Sequence, residues 1–224
     1  MKTFEEVFNA MPTVTASAPG RVNLLGEHTD YNGGYVMPTA IPQQTCVSLR
    51  LNEMSCFRLY SSQLNKLVEL NLKESPLEHF ASYIYGCLRM VQGLGMQVPA
   101  FDIHICSNVP MGVGLSSSAA LEVAMLQALR AMLDLKINDI EIAKLAQQAE
   151  IQYAKVDCGI MDQMAVSLAD TKRMLFLDTR TLEYEKLALP ENAELLVSDT
   201  GFARSLAKSK YNERRTECAT ASNN

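Results

Sequence analysis

The chain has 224 residues, of which 48% are hydrophobic and 20% charged, and a formal net charge of −5. A chain of this length buries one sizeable core with room for part of a second, and its composition excludes both intrinsic disorder and an apolar run of the roughly 18 residues that a membrane-spanning helix needs. The charges are spread along the chain, and the one compact basic run, Lys208–Arg215, is interrupted by Glu213, so the balance points to neither nucleic acid nor a membrane surface as partner.

The first ten residues carry two glutamates and no apolar leader core, which reads against a secretory signal and for a cytoplasmic location. Val14–Ala18 is a β-type run closed by Pro19 and Gly20, and the chain returns from a glycine-rich stretch through residues 35–41. Short alternating strands are predicted at Cys46–Leu51, Cys56–Tyr60 and Leu67–Leu72, forming an antiparallel sheet. Between Pro76 and Leu94, apolar residues at Leu77, Phe80, Tyr83, Ile84, Cys87, Leu88 and Val91 make a stripe of helical spacing that packs on that sheet. Phe101–Cys106 alternates as a strand, and the alanine- and leucine-rich run Ser116–Leu135 reads as a helix. A further helix is predicted over Asp139–Tyr153, a helical or turn segment over Gly159–Leu168, strands over Arg173–Asp178 and Leu195–Ser198, and a helix over Arg204–Cys218. The mixture defines an α+β layer architecture. Six cysteines, at 46, 56, 87, 106, 158 and 218, form no Cys-x-x-Cys pair and read as reduced thiols in apolar company, without structural zinc.

Three segments carry candidate chemistry. Residues 20–36 hold one arginine, two carboxylates, a histidine, two asparagines, a threonine and four glycines. That density of donors and acceptors is costly in a core and suits a surface for a polar ligand such as a sugar. Pro110–Ala120 places two glycines and three consecutive serines where a strand gives way to a helix. Small side chains there let a phosphate approach the backbone, and the unpaired amides and positive dipole end of the helix face it. The segment lacks the lysine of a Walker A loop and the third glycine of a dinucleotide fingerprint, and a serine N-cap after a flexible turn is the competing reading. Glu150, late in an amphipathic helix, and Asp162, flanked by Ile160, Met161 and Met164, are acids expected to be buried, where a salt bridge or a helix cap would account for either alone.

Together these segments resemble the galactokinases of the GHMP small-molecule kinase superfamily. Gly20–Gly34 resembles the galactokinase signature, Pro110–Ala120 the superfamily ATP loop, and Cys158–Gln163 the segment that carries the catalytic aspartate. The likeness continues to Tyr211–Cys218. It implies a mixed sheet packed with helices and phosphorylation of galactose at its C1 hydroxyl by ATP with Mg2+. It implies that Glu27, His28, Asp30, Gly159, Asp162 and Tyr211 contact the sugar, and that Asp162 accepts the hydroxyl proton. Arg21 would hold that aspartate ionised and counter charge on the transferring group. Gly112, Gly114, Leu115, Ser116, Ser117, Ser118 and Ala119 would form the ATP loop, and Ser118 and Glu150 would ligate magnesium. Phe80 falls where relatives place an aromatic beside adenine, although core packing explains it as well. Thr29 and Asn32 are read as favouring plain galactose. His79 and His104 match no family site, and His104 reads as a surface or satisfied polar residue.

Family members are longer, and a second domain with a third glycine-rich motif normally follows. Residues 1–190 are therefore read as the amino-terminal domain and 191–224 as the start of a carboxy-terminal domain that is largely missing. That loss is expected to impair catalysis and to leave an apolar face open to self-association. Other readings stay open: a non-catalytic galactose and ATP sensor, a kinase for N-acetylgalactosamine or another hexose, and a folded remnant without function.

Overall fold

The computed structural model describes residues 1–201 and 211–222, without the side chains of 211 and 222. Its organising element is the strand β3 (Pro38–Leu51), which unites the return from the glycine-rich stretch with the strand expected at Cys46–Leu51. Thr45, Val47 and Leu49 face the interior while Gln44, Cys46 and Ser48 face outward, the period of two that a half-buried strand requires. Strand β1 (Val14–Asn23) pairs antiparallel with β3 from Val14↔Leu49 to Asn23↔Pro38, with a register shift between Pro19 and Arg21. The sequence reading closed this strand at Pro19; a proline lacking its N–H instead makes a bulge, and the strand resumes to carry Arg21 into the site.

The outer half of β3 pairs with β6 (Phe101–Ser107) and its inner half with β7 (Arg173–Asp178). β4 (Phe57–Ser61) lies parallel to β6, and β5 (Lys66–Leu70) flanks β4. β2 (Tyr35–Val36) and β8 (Tyr184–Ala188) both pair with β7. Among the described residues the strands form one eight-stranded sheet. It is mixed, which corrects the antiparallel expectation from the strand spacing: α2 (His79–Gly93) crosses between β5 and β6 and sets β6 beside β4 in the same direction. No strand forms at Leu195–Ser198, where Leu196 is 92% exposed. Of the helix expected over Arg204–Cys218, residues 204–210 lie outside the described residues, and the rest belongs to α6 (Tyr211–Ser222).

Helix α3 (Ser117–Leu133) packs on β1 and β3, and α2 and α4 (Asp139–Ala149) pack on α3 and on each other. Leu49, Leu59, Ile84, Leu88, Ile103, Leu126, Leu129 and Ile142 are fully buried between the layers, each contributing about 1.5–3 kcal/mol by leaving water. A second cluster joins Val36, Leu175 and Leu177 to Ile160, Met161, Met164 and Leu168. It seats α5 (Met161–Leu168) against the sheet near the end of β1. The helix predicted over Asp139–Tyr153 exists as α4 followed by a π-helical turn, Glu150–Ala154.

A short helix the periodicity did not reveal, α1 (Phe4–Phe8), starts with a Thr3/Glu6 capping box and buries Phe4 and Phe8 with Tyr60. His104 is buried there, its Nε2 2.9 Å from the Lys2 carbonyl and 3.1 Å from Ser62 Oγ; it is a satisfied polar residue. Among the described residues no disulfide joins the six cysteines; Cys87 alone is fully buried and the other five are half-buried, so most are not the core thiols expected. Among the described residues no helix is long and apolar enough to cross a membrane.

Candidate active site

The loop between β6 and α3 turns on Gly112 and Gly114, at φ 75° and 81°, a conformation that costs glycine little. Ser116 follows at φ 57°, ψ 46°, and α3 begins without a side-chain cap. The capping alternative therefore fails, and the first amides of α3 are left for a ligand. A cavity of about 260 Å³ adjoins them, lined among others by Gly112, Ser117, Ser118, His79, Phe80 and Tyr83. Phe80 also packs on the main core, as the core-packing reading expects.

Behind the loop runs β1. A Cβ on Gly20 would stand 2.8 Å from the Leu115 carbonyl oxygen, so only glycine lets the strand pass this close. Arg21 then reaches three ways. Its backbone N–H donates to the Leu115 carbonyl at 3.2 Å, and Nη1 donates to the Gly114 carbonyl at 2.7 Å. Nε and Nη2 donate to Asp162 Oδ1 at 2.8 and 2.5 Å. Ser116 Oγ donates to the other oxygen, Asp162 Oδ2, at 2.5 Å. Asp162 lies in the first turn of α5 and is not buried as expected: its side chain keeps 28% exposure, because it faces the cleft rather than the methionines around it in sequence.

The glycine-rich loop after β1 folds largely on itself. Thr29 Oγ1 donates to the Gly26 and Tyr35 carbonyls, both at 2.8 Å, and Asn32 Nδ2 donates to the His28 carbonyl at 2.9 Å. These two side chains brace the loop. Asn23 Nδ2 donates to Glu27 Oε1 at 2.8 Å, and His28 Nδ1 lies 2.5 Å from the Tyr31 hydroxyl. Glu27 and His28 are exposed. Asp30 folds inward, accepts the Met161 N–H at the start of α5, and has its pKa raised by burial and then by the charge of Asp162. Gly159 is buried against it: a Cβ there would fall 1.9 Å from Asp30 Oδ2. Helix α6 braces this segment, since Asn212 accepts the Asp157 N–H at 3.2 Å and Arg215 Nη1 donates to the Asp157 carbonyl at 2.6 Å. The Tyr211 side chain lies outside the described residues.

Glu150 opens the π-helical turn with 3% exposure. Gln163 Nε2 donates to its Oε2 at 2.7 Å, and the Ser118 hydroxyl lies close. Burial, then the charge of Asp162, push its pKa up to about 7. A buried carboxylate and a serine hydroxyl brought together are hard oxygen donors of the kind that suit magnesium. Beside them is Glu122, which the sequence reading missed: it is fully buried, and neither carboxyl oxygen has a hydrogen-bond partner among the described residues, though Gln163 and Glu150 lie close. Its spacing of four from Ser118 on α3 was the available signal. The cleft thus gathers Arg21, Asp30, Ser116, Gly159 and Asp162, with Ser118 and Glu150 adjoining.

Two family models match this chain: the GHMP kinases N terminal domain over residues 82–170 and the galactokinase galactose-binding signature over residues 2–51. Among solved structures, the Lactococcus lactis galactokinase complexed with galactose superposes with a TM-score of 0.85 at 34% identity, covering 97% of this chain and 58% of that one. A putative sugar kinase from Campylobacter jejuni gives 0.62 at 27% identity, covering 81% and 57%. The Methanococcus jannaschii mevalonate kinase gives 0.65 at 23%, covering 78% and 55%, a likeness of fold alone. The chain therefore spans somewhat over half the length of each of these kinases.

Proposed function

We propose that this chain, which belongs to the galactokinase family of the GHMP kinases, binds galactose and ATP and transfers the γ-phosphoryl group to the sugar's C1 hydroxyl. The observation that carries the reading is the Arg21–Asp162 pair, fastened to the phosphate-type loop through Gly114 and Ser116 and flanked by Asp30 and Gly159. A loop for phosphate and a set of carboxylates for hydroxyls meet at one ionised pair, as transfer between those two groups requires.

In this reading the C1 hydroxyl donates to Asp162 Oδ2, which takes its proton as the sugar oxygen bonds to the γ-phosphorus. The bond from that phosphorus to the bridging oxygen breaks, and ADP leaves with its electron pair. The Arg21 guanidinium, 2.5 Å from the carboxylate, offsets charge on the equatorial oxygens. Ser118 and Glu150 would hold magnesium, which when bound neutralises charge on the β- and γ-phosphates. Glu27, His28 and Asp30 would supply directional hydrogen bonds to the sugar hydroxyls, so that an epimer leaves a partner unpaired. Glu27 and His28 stand exposed, and we infer that these 224 residues alone turn over slowly, since water competes at an open site.

Calorimetric titration with galactose and with magnesium-ATP, beside a coupled assay for ADP release, tests the proposal. Saturable binding of galactose but not glucose, with galactose-dependent ADP release, is expected. Binding without ADP release would favour the sensor reading, and failure to bind either ligand would end both.

A further inference from the structure

We infer that Ser116 is a positioning residue that couples the nucleotide and sugar sites through its hydroxyl bond to Asp162. The inference rests on the kinase reading above and goes beyond it by assigning to one loop serine a role other than holding phosphate.

Three observations carry it. First, Ser116 holds a left-handed backbone conformation, φ 57° and ψ 46°, which is unfavourable for a residue with a side chain. In an ordinary helical conformation it would extend α3 by one residue and its hydroxyl would rotate off Asp162. Second, that hydroxyl is buried, makes no cap bond, and is spent on Asp162 Oδ2 at 2.5 Å. Its neighbours Ser117 and Ser118 line the adjoining cavity, whereas Ser116 does not. Third, the pairing completes a division of labour on the aspartate. Oδ1 accepts both Arg21 bonds and Oδ2 accepts Ser116. A carboxylate offers about four lone-pair directions, so the one left on Oδ2 is the place for a substrate hydroxyl.

A ligand that fixes the loop amides therefore fixes Ser116, and with it the orientation of Oδ2. A sugar on Oδ2 in turn fixes Ser116 and the loop. The coupling is reciprocal by linkage, and Arg21, bonded to Gly114 and Leu115 on one side and Asp162 on the other, keeps the two bodies aligned.

The test is the galactose Kd with and without saturating magnesium-ADP, in the native chain, Ser116→Ala and Ser116→Gly. The native chain should bind galactose at least ~5-fold tighter with nucleotide present. Both variants should lose the enhancement, each judged against its own nucleotide-free Kd. The glycine variant relieves the backbone strain, so full coupling in it would overturn the inference, as would absent or negative coupling in the native chain. A ligand-free melting cycle separates this inference from the functional reading. Ser116→Gly with Asp162→Ala should melt no lower than Asp162→Ala alone, and additive shifts would sink the bond even if galactose binds. If the native chain binds no galactose while the shifts are non-additive, the kinase reading falls and the coupling with it, and only the Ser116–Asp162 bond is left.

Discussion

The two glycine-rich loops of the cleft are built on opposite plans. The loop before α3 is tied to parts of the chain 46 to 93 residues away, through Ser116 to Asp162 and Gly114 to Arg21. The loop after β1 is tied mostly to itself: Asn23 to Glu27, His28 to Tyr31, Thr29 to Gly26 and Asn32 to His28 are bonds across three or four residues. The first loop is therefore positioned by the whole domain and shares its stability, while the second is shaped largely locally, with Thr179 and Arg180 donating to its Gly34 and Gly33 carbonyls, and presents exposed groups. Chemistry that needs fixed geometry belongs to the first, and discrimination among sugars to the second.

The largest effect should come from breaking the shared pair. Asp162→Asn keeps the shape but removes the proton acceptor, and galactose-dependent turnover should fall about 10²–10⁴-fold in single-turnover assays; a loss under tenfold would erase the contrast between the loops. Next is the point where the second loop meets α5. Gly159→Ala drives a methyl into Asp30, and galactose affinity by calorimetry should drop at least about tenfold, with a lower Tm. His28→Ala or Glu27→Gln should weaken galactose by roughly 3–10-fold and leave Tm unchanged, because each removes one exposed hydrogen-bonding group; a fall in Tm would mean that this loop too is braced by the domain.

The smallest effect is in pH. The raised pKa of Asp30 means that the folded chain holds this proton more tightly than the unfolded chain does. Stability from this group is full below the ordinary value of 3.8 and declines as pH rises through the folded-state pKa. Asp30→Asn, which still accepts the Met161 N–H, should flatten that part of the Tm–pH curve and raise Tm at pH 7 by about 2–4 °C per kcal/mol relieved. A variant curve that parallels the native one would show that Asp30 is neutralised by its surroundings.

Much of the fold was readable where one face of an element is buried. The apolar stripe of α2, the alternation of β6 and the run Arg173–Asp178 each appear where the sequence puts them, within a few residues. Misreadings occurred where a local signal is overridden or weak. Pro19 marks a bulge and not an end, the five residues of α1 are too few for a period, and the apolar run at 195–198 finds no strand to pair with. At the site, residue types were readable but partners were not. Nothing within ten positions of Ser116 says that it will donate to Asp162, and the spacing of Glu122 from Ser118 does not say that Glu122 will be sealed beside Glu150: the first depends on α3 packing against α5 and the second on α3 packing against the helix that ends at Glu150.

The π-helical turn at Glu150–Ala154 uses one residue more per ring than the α-helix it continues. Each residue of an α-helix advances the chain by about 100°, so the extra residue works as a phase adjuster. Removing one position from 151–154 would make the helix regular, yet it would swing Asp157, Cys158 and Gly159 about a third of a turn away from Arg215 and Asp30. The angular setting of the substrate segment is thus written as a length, and a single-codon deletion there should be worse tolerated than many substitutions in the cleft itself.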